Sequence, residues 1–112
     1  MKRGDLVIVA MRGDYGKVRP CVVVQSDRFY EDFDSIIVCP LSTSIEASHI
    51  LRIPIEPHAS NGLRNRSVIM TDKTIAILRG RIRERIGAVG SRILNDIDRA
   101  LALLLEIDYK GS

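Results

Sequence analysis

The chain reads as a mainly β domain of short antiparallel strands followed by one amphipathic helix at its C-terminal end. Three observations predict this. Short apolar, β-branched runs recur at residues 6–10, 22–24, 36–38, 53–55 and 68–69, separated by turn-forming clusters, and side chains of that kind fit a pleated, buried surface. Helical spacing is confined to the last segment, where Ile93, Leu94, Ile97, Ala100, Leu101, Leu104 and Leu105 fall at steps of three and four. The length of 112 residues allows one core and not two, so residues 1–112 are read as a single domain.

The first strand, residues 6–10, shows too little alternation to be an exposed edge on both faces. Residues 12–16 (RGDYG) are turn chemistry and lead by a hairpin into the second strand. Val22, Val23 and Val24 follow Arg19-Pro20-Cys21, while Ile36, Ile37 and Val38 precede Cys39-Pro40 in a third strand over residues 35–39. Proline lacks an N–H and is tolerated where pairing starts or stops, so Pro20 and Pro40 are expected to mark strand ends. Between these strands Phe29, Tyr30 and Phe33 are expected to fold back onto the sheet as core closure. Ile50, Ile53 and Ile55 around Arg52 and Pro54 suit a fourth strand near an edge, and Asn61-Gly62 favours a tight turn. Residues 66–71 return as a fifth strand. Residues 75–78 fit either a short strand or a connector. The run 79–85 (RGRIRER) aligns Arg79, Arg81, Arg83 and Arg85 on one face if it is a strand and spreads them if it is helical. Ser91 is placed to cap the helix, which is expected to end near Ile107.

Composition excludes several classes. With 46% hydrophobic and 28% charged residues the chain is neither disordered nor fibrous. The apolar run after the basic N-terminus stops at Met11 and is followed by Arg12 and Asp14, too short for a signal peptide. No stretch reaches the roughly 18 apolar residues of a membrane span, and a cytoplasmic location is expected. Cys21 and Cys39 lie in apolar strands without histidines at ligand spacing and are read as small buried hydrophobes, with no metal site and no cofactor. The net charge of +3 mildly favours an acidic partner such as nucleic acid or an acidic peptide. If the second and third strands are neighbours, Arg19 and the hydroxyls of Ser42, Thr43 and Ser44 form an anion site at their mouths.

The arrangement of short motifs adds to this. Arg3-Gly4-Asp5 opens the first strand, Val18-Arg19-Pro20 the second with Ser26-Asp27 after it, and residues 38–42 (VCPLS) close the third. Ser67-Val68-Ile69, Asp72, Arg81-Ile82 and residues 97–101 (IDRAL) follow in order. In these motifs and their spacing, over almost the whole chain, the sequence resembles the MazF/PemK family of toxin endoribonucleases from type II toxin–antitoxin pairs. The resemblance implies a small bent antiparallel barrel, Src-homology-3-like and of the MazF/CcdB type, and a homodimer. It also implies metal-independent, sequence-selective cleavage of single-stranded RNA, leaving a 2′,3′-cyclic phosphate and a 5′-hydroxyl, with inhibition by a cognate antitoxin peptide. By position, Arg19 matches the family's active-site arginine, Ser42 stands where threonine is usual, and Asp72 matches an acidic position assigned as a base in some members. Lys73 replaces a common glutamine, and Met70 replaces a second arginine found in some members.

The chemistry ranks these residues. A guanidinium offers paired donors to phosphate and stays protonated, so Arg19 suits electrostatic stabilisation of the phosphoryl oxygens; its structural alternative is capping a strand end. Ser42 either holds a non-bridging oxygen or orients the 2′-hydroxyl, or else closes an ST-turn, and Asp72 is either a base or a turn former. Arg12, Lys17 and Thr43 are expected contacts to the RNA backbone. His49 and His58 match no family position. Three functions compete: a messenger-RNA endonuclease toxin, a CcdB-like inhibitor of DNA gyrase on the same barrel, and a catalytically silent barrel that binds RNA or a partner.

Overall fold

The computed structural model describes residues 1–11, 17–44 and 49–108. Seven strands, β1 (Asp5–Ala10), β2 (Val18–Val23), β3 (Ser35–Ser42), β4 (Arg52–Ile55), β5 (Ser67–Met70), β6 (Ile75–Leu78) and β7 (Ile82–Ala88), precede one helix, α1 (Ser91–Leu105). The sheet order is β4-β5-β3-β2-β1-β7, with β6 also paired to β3. Every pairing is antiparallel. The path ends at β4 on one side and β7 on the other, so the sheet is open and "barrel" describes it only loosely. No helix among the described residues is long and apolar enough to cross a membrane.

Both faces of the sheet are covered, which is why the strands read as continuous apolar runs. On one face Leu6, Val22, Cys39, Leu41 and Ile69 pack with Ile97 and Ala100 of α1. On the other, Val7, Val9, Cys21, Val23, Ile36, Val38 and Ile77 form a second cluster. Neighbouring residues such as Leu6 and Val7, or Cys21 and Val22, alternate between the two as strand geometry requires. The Arg3-Gly4-Asp5 motif ties these layers together. Arg3 forms an ion pair with Asp98 of α1, and its Nε donates to Val24 O at 3.1 Å. Gly4, at φ 94°, donates to Val23 O and accepts from Val89 N. The buried Asp5 carboxylate accepts from Lys2 N at 2.8 Å and Arg85 Nε at 3.0 Å.

The two prolines lie inside strands and not at their ends: Pro20 is within β2 and Pro40 within β3. What stops at each is a ladder. The β2–β3 register pairs Cys21 with Pro40, Val22 with Cys39 and Val23 with Val38. Val24 N donates to Ile37 O at 3.1 Å, so along β2 residues 24, 22 and 20 direct their backbone groups at β3. Pro20 therefore lacks a donor where the β2–β3 ladder ends. Pro40 falls between β6, which pairs residues 35–38 of β3, and β5, which pairs Leu41 and Ser42.

Three further expectations change. The segment Asp27–Asp32 is a 3₁₀ turn capped by Ser26, but Phe29 and Phe33 are 43% and 57% exposed, and only Tyr30 packs on the second cluster. Asp27, Glu31, Asp32 and Asp34 interleave with the rings, so burying both would bury carboxylates. Residues 75–78 are a strand, and the arginine run divides, Arg79–Arg81 as a 3₁₀ turn and the rest within β7. Its arginines have structural partners: Arg79 lies over the Tyr30 ring, Arg81 donates to Ala10 O, Arg83 to Gly80 O and Arg85 to Asp5. Ser91 is the first residue of α1, and the N-cap is Gly90, without a side-chain bond. The helix stops where Glu106 turns left-handed at φ 57°.

Candidate active site

The site is built by the β2–β3 register. Extending it by one step of two residues from Cys21 and Pro40 sets Arg19 across from Ser42, on one face of the sheet. The neighbouring strands that an anion site requires are thus present. Arg19 Nη1 donates to the Leu41 carbonyl at 3.1 Å, the oxygen that Pro20 would have bonded had it carried an N–H. Arg19 as a residue is half-buried, and its guanidinium carries further donors beyond this one. Ser42 Oγ accepts from Ser44 N at 3.1 Å, so the ST-turn alternative is realised. That bond leaves the hydroxyl hydrogen to donate, and it restrains a side chain that lacks threonine's stiffening methyl.

Thr43 follows β3 directly. It lines an open cleft of about 620 Å³ with Ile8, Val18, Pro20, Arg64, Asn65 and Arg85 among its walls. Lys17 is exposed at the head of β2, so Lys17 and Thr43 flank the same mouth of the sheet. Arg12 lies outside the described residues.

Asp72 is held apart from Arg19 and Ser42. Ser42 pairs with Val68 near the start of β5, whereas Asp72 follows that strand's far end, in the 3₁₀ turn Thr71–Lys73. Both its carboxylate oxygens are engaged: Arg52 Nε donates at 2.6 Å and Nη2 at 2.8 Å. These bonds hold its pKa below the ordinary aspartate value, which suits a carboxylate and disfavours a base. The turn itself is pinned by hydroxyls. Thr71 Oγ1 donates to Leu51 O at 2.6 Å, and Thr74 Oγ1 bonds Thr71 O at 2.7 Å and Cys39 Sγ at 3.0 Å.

The thiols are inert by environment. Burial pushes the Cys21 thiol up to about 12 despite the Arg19 guanidinium nearby, and burial raises Cys39 also. Each is a buried hydrophobe, as its strand position suggests. The histidines belong to loop structure: His49 Nδ1 accepts from Leu51 N, and His58 Nδ1 bonds Ser60 within the loop after β4. The sequence reading missed the Leu41 carbonyl as the partner of Arg19 and Arg52 as the partner of Asp72. The first carried a signal, since a proline inside an apolar run leaves an acceptor opposite it without a mate. The second did not, because residues 52 and 72 meet only through the β4–β5 pairing.

Residues 2–105 match a family model described as PemK-like, MazF-like toxin of type II toxin–antitoxin system. A relative from Mycolicibacterium smegmatis, a probable endoribonuclease MazF, is 39% identical over 108 residues, covering 96% of this chain and 98% of that one. Among solved structures, the Mycobacterium tuberculosis toxin MazF-mt6 superposes with a TM-score of 0.80 at 20% identity, over 94% of this chain and 99% of the other. An endoribonuclease in complex with its cognate antitoxin, from a mycobacterial species, gives 0.80 at 16% identity, over 97% and 98%. The MazE-MazF structure (Form-II) from Deinococcus radiodurans gives 0.79 at 19% identity, over 96% and 97%. At those identities the structural likeness concerns the fold.

Proposed function

Since this chain belongs to the PemK-like, MazF-like toxins of type II toxin–antitoxin systems and is a toxin endoribonuclease, we propose that it cuts single-stranded RNA without a metal ion. In this reaction the ribose 2′-hydroxyl gives its proton to water and its oxygen bonds to the adjacent phosphorus as the bond to the 5′-oxygen breaks, and the departing oxygen takes a proton from water, leaving a 2′,3′-cyclic phosphate and a 5′-hydroxyl. The observation that carries the reading is the Arg19 guanidinium, tied to the carbonyl of Leu41, the residue before Ser42, at the end of the paired β2 and β3. Negative charge builds on the phosphoryl oxygens in the transition state, and a preorganised guanidinium stabilises it without reorganising. Ser42 donates its remaining hydrogen to one of those oxygens. Asp72 is assigned to holding β4 against the 71–73 turn through Arg52, and not to proton transfer. Lys17 and Thr43 contact the RNA backbone on either side of the mouth, as does Arg12.

The proposed setting follows from the family. The toxin selects a short sequence in messenger RNA, its cleavage stops translation and growth, and an antitoxin peptide covers the same groove; a fold neighbour is an endoribonuclease in complex with its cognate antitoxin. The chain works in the cytoplasm as a homodimer. The end of α1 and the chain just after it support a self-association, since Leu103, Leu105 and Ile107 are 59–61% exposed. The gyrase-binding and catalytically silent alternatives yield to this reading, because a relative 39% identical over nearly the whole chain is named a probable endoribonuclease.

The test is incubation of the purified protein with a long single-stranded RNA in EDTA, with mapping of the 5′ ends. Discrete cuts bearing 5′-hydroxyls are expected. Arg19→Ala should fold normally and lose roughly 100- to 1,000-fold in rate, and Ser42→Ala should also lose rate. Cleavage that EDTA abolishes, or an Arg19→Ala variant as fast as the parent, would refute the mechanism.

A further inference from the structure

We infer that Pro20 is a positioning residue for Arg19, because by withholding a backbone N–H from the Leu41 carbonyl it leaves that oxygen to hold the guanidinium beside Ser42. The inference rests on the proposed role of Arg19. Its geometry comes from the ladder. Val24 N donates to Ile37 O and the register carries on without a shift through Val22–Cys39, so position 20 is the next whose N–H would point at β3 and at Leu41 O. Any other residue there would close a backbone bond to that carbonyl. Proline cannot, and Arg19 Nη1 occupies the acceptor at 3.1 Å in its place.

Three features make this a placement device and not a strand defect. Arg19 and Pro20 are adjacent, so the side chain that takes the bond leaves the backbone one residue from the missing donor. Leu41 is adjacent to Ser42, so the acceptor fixes the guanidinium next to the hydroxyl it works with. Among the described residues Arg19 forms no ion pair, and the Leu41 carbonyl is its one side-chain partner there. A backbone carbonyl is neutral, so it orients the guanidinium without neutralising the charge that a phosphate would meet.

The experiment compares two residues at position 20 that differ by one donor. Pro20→Ala restores the N–H. L-lactic acid at position 20, introduced by nonsense suppression, carries the same methyl on an ester and restores none. Both lose the proline ring from the floor of the cleft, so effects on KM are common to the pair. Pro20→Ala should lose roughly 100-fold in kcat, the scale of a 1 Å misplacement, and the ester should rescue most of it. Equal kcat for the pair overturns the inference, whether both are fast or both slow, as does an ester slower than the amide. If the alanine variant does not fold, Pro20→Val and its own ester, 2-hydroxy-3-methylbutanoic acid, make the same comparison. Arg19→Ala separates the two levels: a dead Arg19→Ala with equal alanine and lactate variants overturns the role of Pro20 alone, while an active Arg19→Ala overturns both.

Discussion

At neutral pH Asp72 is a carboxylate with both oxygens taken by Arg52, and its protonation is linked to stability. Its folded pKa is depressed, so the pair stabilises fully above the unfolded aspartate value of about 3.9 and loses that effect as pH falls through the lower folded value. Asp72→Asn should cost about 0.2 to 1 kcal/mol at pH 7, a difference from the parent that shrinks in acid. Its RNA cleavage should stay within a few-fold of the parent; a loss like that of Arg19→Ala would return Asp72 to the reaction. The cysteines act with the opposite sign. Cys21 ionises near 9.0 when ordinary and near about 12 when folded, so stability falls as pH rises from about 9. At pH 8 a thiol reagent should leave both cysteines of the folded protein untouched and modify both after denaturation. At this scale the sequence reading had both thiols buried, as they are, and set Arg19 and Ser42 at neighbouring strands, where Arg19 bonds the residue before Ser42. It did not contain the Arg52–Asp72 ion pair, which tertiary structure assembles and which occupies both carboxylate oxygens.

Among elements, the loop at 58–62 and β7 meet backbone to backbone. Asn61 is buried and bonds His58 N, Leu63 N and Glu56 O, while Ser60 O accepts from Ala88 N at 2.9 Å. A Cβ on Gly87 would stand 2.5 Å from Ser60 O, and one on Gly62, already at φ 69°, would stand 2.3 Å from Ile86 O. Gly87→Ala should therefore cost about 1–3 kcal/mol, read as a lower urea midpoint. Gly80→Ala, with nothing within 4 Å of its added methyl, should leave the midpoint nearly unchanged. Asn61-Gly62 announced the turn from sequence, and the five main strands and α1 were legible because their apolar runs match their periods. The prolines misled by one level: they end ladders, and a ladder's end is a property of two strands that one strand's sequence does not contain. Phe29 and Phe33 mislead because aromatic side chains point to core, whereas the acids between them keep both rings at the surface.

For the whole molecule, the exposed end of α1 predicts its own test. Leu103→Asp with Leu105→Asp should shift sedimentation from twice the 12.5 kDa chain mass to the single chain, without loss of helix content, if that end joins two copies. The open sheet was not legible, since closure depends on how β4 and β7 lie relative to each other and no local pattern records that. Arg19 and Ser42 both lie in the first 42 residues, yet β1, which flanks β2, is itself flanked by β7 at residues 82–88, and the core beneath Val22 and Leu41 is completed by Ile97 and Ala100. The N-terminal strands therefore wait on distant contacts. A growing chain therefore carries Arg19 and Ser42 well before it carries β7 and α1, the elements that complete the packing around their strands.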